Sequence, residues 1–195
     1  MREVTLERNT AETQIAITFD PDGSGRYLVD TGCGFLNHML ELFARHGRFD
    51  LTVTCHGDVE VDYHHTAEDI GITLGQAIAK SLGDMRGICR YGSFLLPMDE
   101  ALVLCAVDLS GRCTLAYSVN CPTEKVGDFD VECAKEFWYG LARSVPATLH
   151  FRQLAGENSH HILEACFKGM GRALAAAMAL DPDHPDEIPS TKGVL

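Results

Sequence analysis

The sequence predicts an α+β fold made by internal duplication: a two-layer α/β sandwich in each half, a small mixed sheet with helices packed on one face. Three observations carry this. A five-residue pattern occurs twice, as His64-His65-Thr66-Ala67-Glu68 and as His160-His161-Ile162-Leu163-Glu164. Each copy opens a stretch with helical apolar spacing. The elements upstream of the two copies recur in the same order, which two unrelated halves sharing a chance string would not explain.

Taken in order, residues 3–8 and 93–96 supply a first strand to each half. Residues 12–20 lead to Gly25-Arg26, and residues 100–108 lead to Gly111-Arg112, so each half continues as strand, turn, second strand. Helical spacing follows over 38–45 and 136–143, then short strands over 49–54 and 147–151. The long helices run from His64 to about residue 82 and from His160 to about residue 180. The expected organisation is one domain, 1–195, of two repeats (about 1–85 and 86–180) plus a tail, 181–195. The tail is acidic, carries three prolines and reads as disordered. Its finish, Ser190-Thr191-Lys192-Gly193, is the exception, because hydroxyls, a lysine and a flexible glycine can wrap a phosphate.

With 195 residues, 46% apolar and 23% charged, the chain can bury one substantial core. No segment approaches the roughly 20 apolar residues that span a bilayer. The start alternates charge with apolar residues and shows no basic head followed by an apolar run, so a cytoplasmic location is expected. A net charge of −12 argues against gripping nucleic acid or an anionic membrane. An anionic ligand must instead be met by a few local cations. The eight cysteines form no Cys-x-x-Cys and are expected as small core residues, not as disulfides or zinc ligands.

The doubled strings carry the chemistry. Positions i and i+4 share a helix face, so His64 can share an ion with Glu68, and His160 with Glu164. His65 and His161 point roughly 100° away around the helix. By internal symmetry His38 corresponds to Glu136, and both are metal-capable. The simplest symmetric arrangement gives one metal to His38, His65, His160 and Glu164, and a second to Glu136, His161, His64 and Glu68. Four N/O ligands without thiolate leave an octahedral ion two open positions, which suits manganese better than structural zinc. Other groups have blander explanations: His46, His56, His150 and His184 as surface or satisfied core residues, Glu12 as an exposed strand carboxylate, and Arg90, Arg112 and Lys168 as solvated cations. Lys168 does fall i+4 from Glu164, on the metal-facing side.

Together these residues resemble the imidazoleglycerol-phosphate dehydratase family. The blocks that match run nearly end to end: Arg8-Asn9-Thr10-x-Glu12-Thr13, Gly34-Phe35-Leu36-Asn37-His38-Met39-Leu40, His64-His65-Thr66-x-Glu68-Asp69-Ile70-Gly71, Asp108-Leu109-Ser110-Gly111-Arg112, Asn158-x-His160-His161 and Pro189-Ser190-Thr191-Lys192-Gly193. The resemblance implies a duplicated α/β fold, two manganese ions per active site and a large octahedral homo-oligomer with active sites at subunit interfaces. It makes His38, His64, His65, Glu68, Glu136, His160, His161 and Glu164 the metal ligands. Many members carry histidine where this chain has Glu136, and a carboxylate oxygen is an equally plausible manganese ligand. It also implies that Arg90, Arg112, Lys168, Ser190, Thr191 and Lys192 hold the substrate phosphate in one anion pocket.

The implied reaction removes a hydroxyl from the carbon attached to imidazole and a non-acidic hydrogen from the neighbouring carbon. That hydrogen needs an electron source to leave. An imidazolate ring between two metals can expel the hydroxyl to give a diazafulvene-like intermediate, with Glu12 as the expected acid/base. The competing expectations are a metal-stapled assembly without chemistry and a two-metal hydrolase.

Overall fold

The computed structural model describes residues 2–195. The first half runs β1 (Val4–Asn9), β2 (Thr13–Asp20), β3 (Tyr27–Asp30), α1 (Gly34–Gly47), β4 (Asp50–Gly57) and α2 (His64–Leu82). The second runs β5 (Tyr91–Met98), β6 (Ala101–Asp108), β7 (Thr114–Ser118), β8 (Lys125–Val126), β9 (Phe129–Asp130), α3 (Glu132–Ser144), β10 (Thr148–Ala155) and α4 (Ser159–Met178). The sheets have the same topology, ordered β1-β2-β4-β3 and β5-β6-β10-β7. In each, the third strand pairs parallel to the fourth and the other neighbours are antiparallel.

Alternation explains the strands. Ile15, Ile17 and Phe19 of β2 face inward, as do Val103, Cys105 and Val107 of β6, while the residues between them lie on the more exposed face. The helices of one half pack on those of the other, α1 against α4 and α2 against α3. Glycine permits the close crossings. A Cβ on Gly71 would sit 2.2 Å from the Phe137 carbonyl oxygen, and one on Gly171 would sit 2.6 Å from that of Phe43. Phe43, Phe137, Trp138, Phe151 and Phe167 fill the space so created.

Several expectations change. Helices α1 and α3 begin at Gly34 and Glu132, about a turn before residues 38 and 136, and the β8–β9 hairpin interrupts the duplication. The tail is not the disordered end expected from its composition: the Gly87 N–H donates to the Glu187 carbonyl (2.8 Å), Arg86 Nη1 to that of Asp186 (2.8 Å) and Arg90 Nη1 to that of Pro189 (2.6 Å). Backbone carbonyls satisfied by arginines hold it where side-chain composition could not. Cys33, Cys55, Cys105, Cys133 and Cys166 are buried, as core residues should be, but Cys89 and Cys113 are exposed. No described helix is long and apolar enough to cross a membrane.

Candidate functional site

The strongest cluster forms where α1 crosses the start of α4. Asn158 caps α4, its side-chain oxygen accepting from the backbone N–H of His160 (2.9 Å) and His161 (3.3 Å). Helical spacing then brings His160 Nε2 to 3.1 Å from Glu164 Oε2, and α1 places His38 Nε2 at 3.9 Å from that same oxygen. One donor atom from each of the three lies within 4.8 Å of the others. Glu164 is buried, and Lys168 one turn further on forms an ion pair with its other oxygen. Burial alone would raise the Glu164 carboxyl, but Lys168 and His160 more than offset this and hold it below the ordinary range. A buried anionic oxygen and two imidazoles fit a hard divalent cation with open positions.

The pseudo-equivalent set is not assembled in the same way. Glu68 lies one turn after His64 on α2, but its carboxylate accepts from Arg143 Nη2 of α3 at 2.8 Å, and Glu136 joins no three-donor group among the described residues. The structure therefore brings together three members of one expected set and leaves the second open. His65, expected as the fourth member of that set, is not in the three-donor group. Its Nδ1 is 2.9 Å from Asp58 Oδ2 and its Nε2 is 3.8 Å from Glu12 Oε1. His161 pairs through Nδ1 with Glu100 Oε2 at 2.7 Å, and its Nε2 is 3.6 Å from Asp99 Oδ2. The bond to Asp58 raises the His65 pKa, and that to Glu100 raises the pKa of His161. Glu100 is lowered to about 2, first by His161 and then by the backbone N–H groups of Glu157 and Asn158.

A second feature is a cavity of about 790 Å³ lined by Arg90, Ser110, Arg112, Ser190, Thr191 and Lys192, among others. Arg90 donates through Nε to Asp108 Oδ1 (2.8 Å), which raises its pKa, and its guanidinium lies 4.7 Å from the Tyr91 ring centroid. Arg112 makes no ion pair among the described residues; its guanidinium donates through Nη1 to the Ser110 carbonyl at 3.3 Å, and its backbone N–H to Ser110 Oγ at 3.3 Å. Five of the six residues expected around an anion, Arg90, Arg112, Ser190, Thr191 and Lys192, thus line one cavity. Lys168, the sixth, does not line it; it pairs instead with the buried Glu164 carboxylate beside His38 and His160.

Asp58, Glu100 and Arg143 escaped the sequence reasoning. Glu100 had a usable signal, since it immediately precedes β6 just as Glu12 precedes β2. Asp58 and Arg143 had none, because their partners come from the ends of other elements.

The family model for imidazoleglycerol-phosphate dehydratase matches residues 31–174. The imidazoleglycerol-phosphate dehydratases of Xanthobacter autotrophicus and Dinoroseobacter shibae are each 54% identical to the chain over 195 residues, covering 100% of it and 99% and 100% of their own lengths. Among solved structures, that of imidazoleglycerol-phosphate dehydratase from Staphylococcus aureus aligns with TM-score 0.83 and 37% identity, covering 91% of this chain and 99% of that one. The enzyme from Pyrococcus furiosus, in complex with (S)-C348, aligns with TM-score 0.85 and 40% identity, covering 97% and 100%. End-to-end identity above half, on the same duplicated fold, shows that the chain belongs to the imidazoleglycerol-phosphate dehydratase family.

Proposed function

We propose that the chain is a manganese-dependent hydro-lyase of histidine biosynthesis, converting imidazoleglycerol phosphate to imidazoleacetol phosphate in the cytoplasm. The observation that carries this is the convergence of His38, His160 and Glu164 in a member of this family. Residues 1–195 act as one catalytic domain of two repeats with a C-terminal tail. Two manganese ions serve each active site, one held by His38, His65, His160 and Glu164 and the other by Glu136, His161, His64 and Glu68. His65 and His161 join no three-donor group with the other proposed ligands of their own chain among the described residues, which supports their donation to a neighbouring copy in a large octahedral homo-oligomer.

Bound manganese would supply Lewis acidity and a template for the imidazole ring. The chain's own residues do the rest. Arg90, Arg112, Ser190, Thr191 and Lys192 hold the phosphate, with Lys168 reaching it from another copy, and fix the carbon chain away from the reacting centre. Glu12, half-exposed near His65 Nε2, takes the proton from the carbon next to the one that loses hydroxide. Loss of water leaves an enol, which becomes the ketone by proton transfer to carbon.

The test is to strip the protein with chelator, restore manganese and follow imidazoleacetol phosphate formed from imidazoleglycerol phosphate. Metal-dependent product formation is expected. No product in the presence of restored manganese would overturn the assignment.

A further inference from the structure

Duplication predicts that His65 and His161, the second histidines of the two strings, should have equivalent neighbours. They do not. The residue that follows Gly57 at the end of β4 is Asp58, and it meets His65 Nδ1 at 2.9 Å. The corresponding residue beyond β10, after Gly156, is Glu157; it is exposed and among the described residues only its backbone N–H is engaged, at 3.1 Å from Glu100 Oε1. Instead Glu100, which precedes β6 as Glu12 precedes β2, meets His161 Nδ1 at 2.7 Å. Different positions in the two halves thus converge on one contact, a carboxylate at Nδ1 of the second histidine.

Convergence from different positions is not a by-product of symmetry. Asp58 strengthens the point, because its other oxygen, Oδ1, is buried without a hydrogen-bond partner among the described residues. A carboxylate kept purely for packing would have no reason to bear that cost. Histidines that bind metal through one nitrogen usually donate the other N–H to a carboxylate, which fixes tautomer and ring orientation. In both halves Nδ1 is occupied in this way and Nε2 carries only longer contacts, 3.8 Å to Glu12 and 3.6 Å to Asp99.

We propose that Asp58 and Glu100 are positioning residues, which hold His65 and His161 as Nδ1–H tautomers and present each Nε2 lone pair to metal. This rests on the assignment of both histidines as ligands. It has a corollary for the duplicated glutamates. Glu100 is committed to His161 and to the turn that starts α4, through the backbone N–H groups of Glu157 and Asn158 (3.1 and 2.8 Å). Because Asp58 serves His65, Glu12 is left free to move a proton.

The experiment is manganese titration, read as free Mn(II) by electron paramagnetic resonance, on wild type, Asp58→Asn, Glu100→Gln, His65→Ala, His161→Ala and the double variants. A carboxamide keeps the shape but can donate to Nδ1, favouring the tautomer with a proton on Nε2. Each carboxamide variant is expected to bind manganese about 10- to 100-fold more weakly. Glu100→Gln should add nothing in a His161→Ala background, nor Asp58→Asn in a His65→Ala background. Wild-type affinity in both carboxamide variants, alongside weak binding in the histidine variants, would overturn the positioning role alone. So would a Glu100→Gln effect of equal size with and without His161, which marks a structural perturbation. Wild-type affinity in the histidine variants would instead remove the ligand assignment, and the proposal with it. If Glu100→Gln does not fold, Asp58→Asn decides, since the Asp58 side chain bonds only His65 among the described residues.

Discussion

The half ending in α2 and the half ending in α4 share strand order, register logic and helix placement, yet they treat equivalent arginines in opposite ways. Arg26 and Arg112 both follow the glycine of the turn after the second strand. The neighbouring strands start at Asp50 and Thr148, which pair with Asp20 and Asp108 at matching ladder positions. Asp50 closes its turn: Oδ1 accepts from the Ser24 and Arg26 N–H groups (2.8 and 3.0 Å), and Oδ2 forms an ion pair with the Arg26 guanidinium. Thr148 offers only a hydroxyl, 3.4 Å from Ser110 Oγ, and leaves Arg112 free to line the cavity. One scaffold therefore yields a self-satisfied turn in one half and, in the other, a turn whose arginine lines an open cavity. The same division separates Glu12 from Glu100. Duplication supplies the frame, and departures from symmetry supply the chemistry.

The comparison can be broken at four points, in descending order of effect. Glu12→Gln should lower turnover by roughly 10²–10⁴-fold, the usual contribution of a general acid or base. Steady-state kinetics would show this with manganese affinity unchanged, and near-normal turnover would remove Glu12 from the mechanism. Manganese at about 100 times its dissociation constant should stabilise the fold by about 2.7 kcal/mol, read as a rise in Tm that chelator reverses. A Tm indifferent to metal would contradict the cluster at His38, His160 and Glu164. Thr148→Asp should give Arg112 the partner that Arg26 already has and raise KM roughly tenfold, about 1.4 kcal/mol, with kcat little changed. An unaltered KM would show that Arg112 does not hold the phosphate.

The smallest effect concerns Asp50. Hydrogen bonds from Arg26 hold the Asp50 carboxyl well below the ordinary carboxylate range, so the stability it contributes is fully present above that range and is lost as pH falls towards the lowered value. Between pH 6 and 8 the contribution is flat. Because the pair is solvent-screened, Asp50→Asn should cost less than about 1 kcal/mol in urea denaturation at pH 7, and the difference should shrink in acid. A pH-independent difference would mean that the carboxylate's charge is not what closes the turn.

Much of the frame was legible in the sequence because the two halves could be read against each other. The doubled histidine strings located α2 and α4, and alternation located β2 and β6. The β8–β9 hairpin was not legible, since strands of two residues carry no period. At the site, His160 and Glu164 followed from helical spacing, but the approach of His38 depends on a helix crossing that glycines permit. The carboxylate on His161 had a legible counterpart, Glu100 standing before β6 as Glu12 stands before β2, whereas Asp58 on His65 was hidden because it lies at the end of a different element. Composition misjudged the tail, whose anchoring comes from its backbone carbonyls.

The division of labour between the paired glutamates is tested most directly by measuring turnover of Glu12→Gln and Glu100→Gln side by side, at limiting and at saturating manganese. Glu12→Gln should remain slow at every manganese concentration, whereas Glu100→Gln should recover most of its turnover once manganese saturates. Recovery of Glu12→Gln by manganese, or identical behaviour of the two variants, would contradict the account.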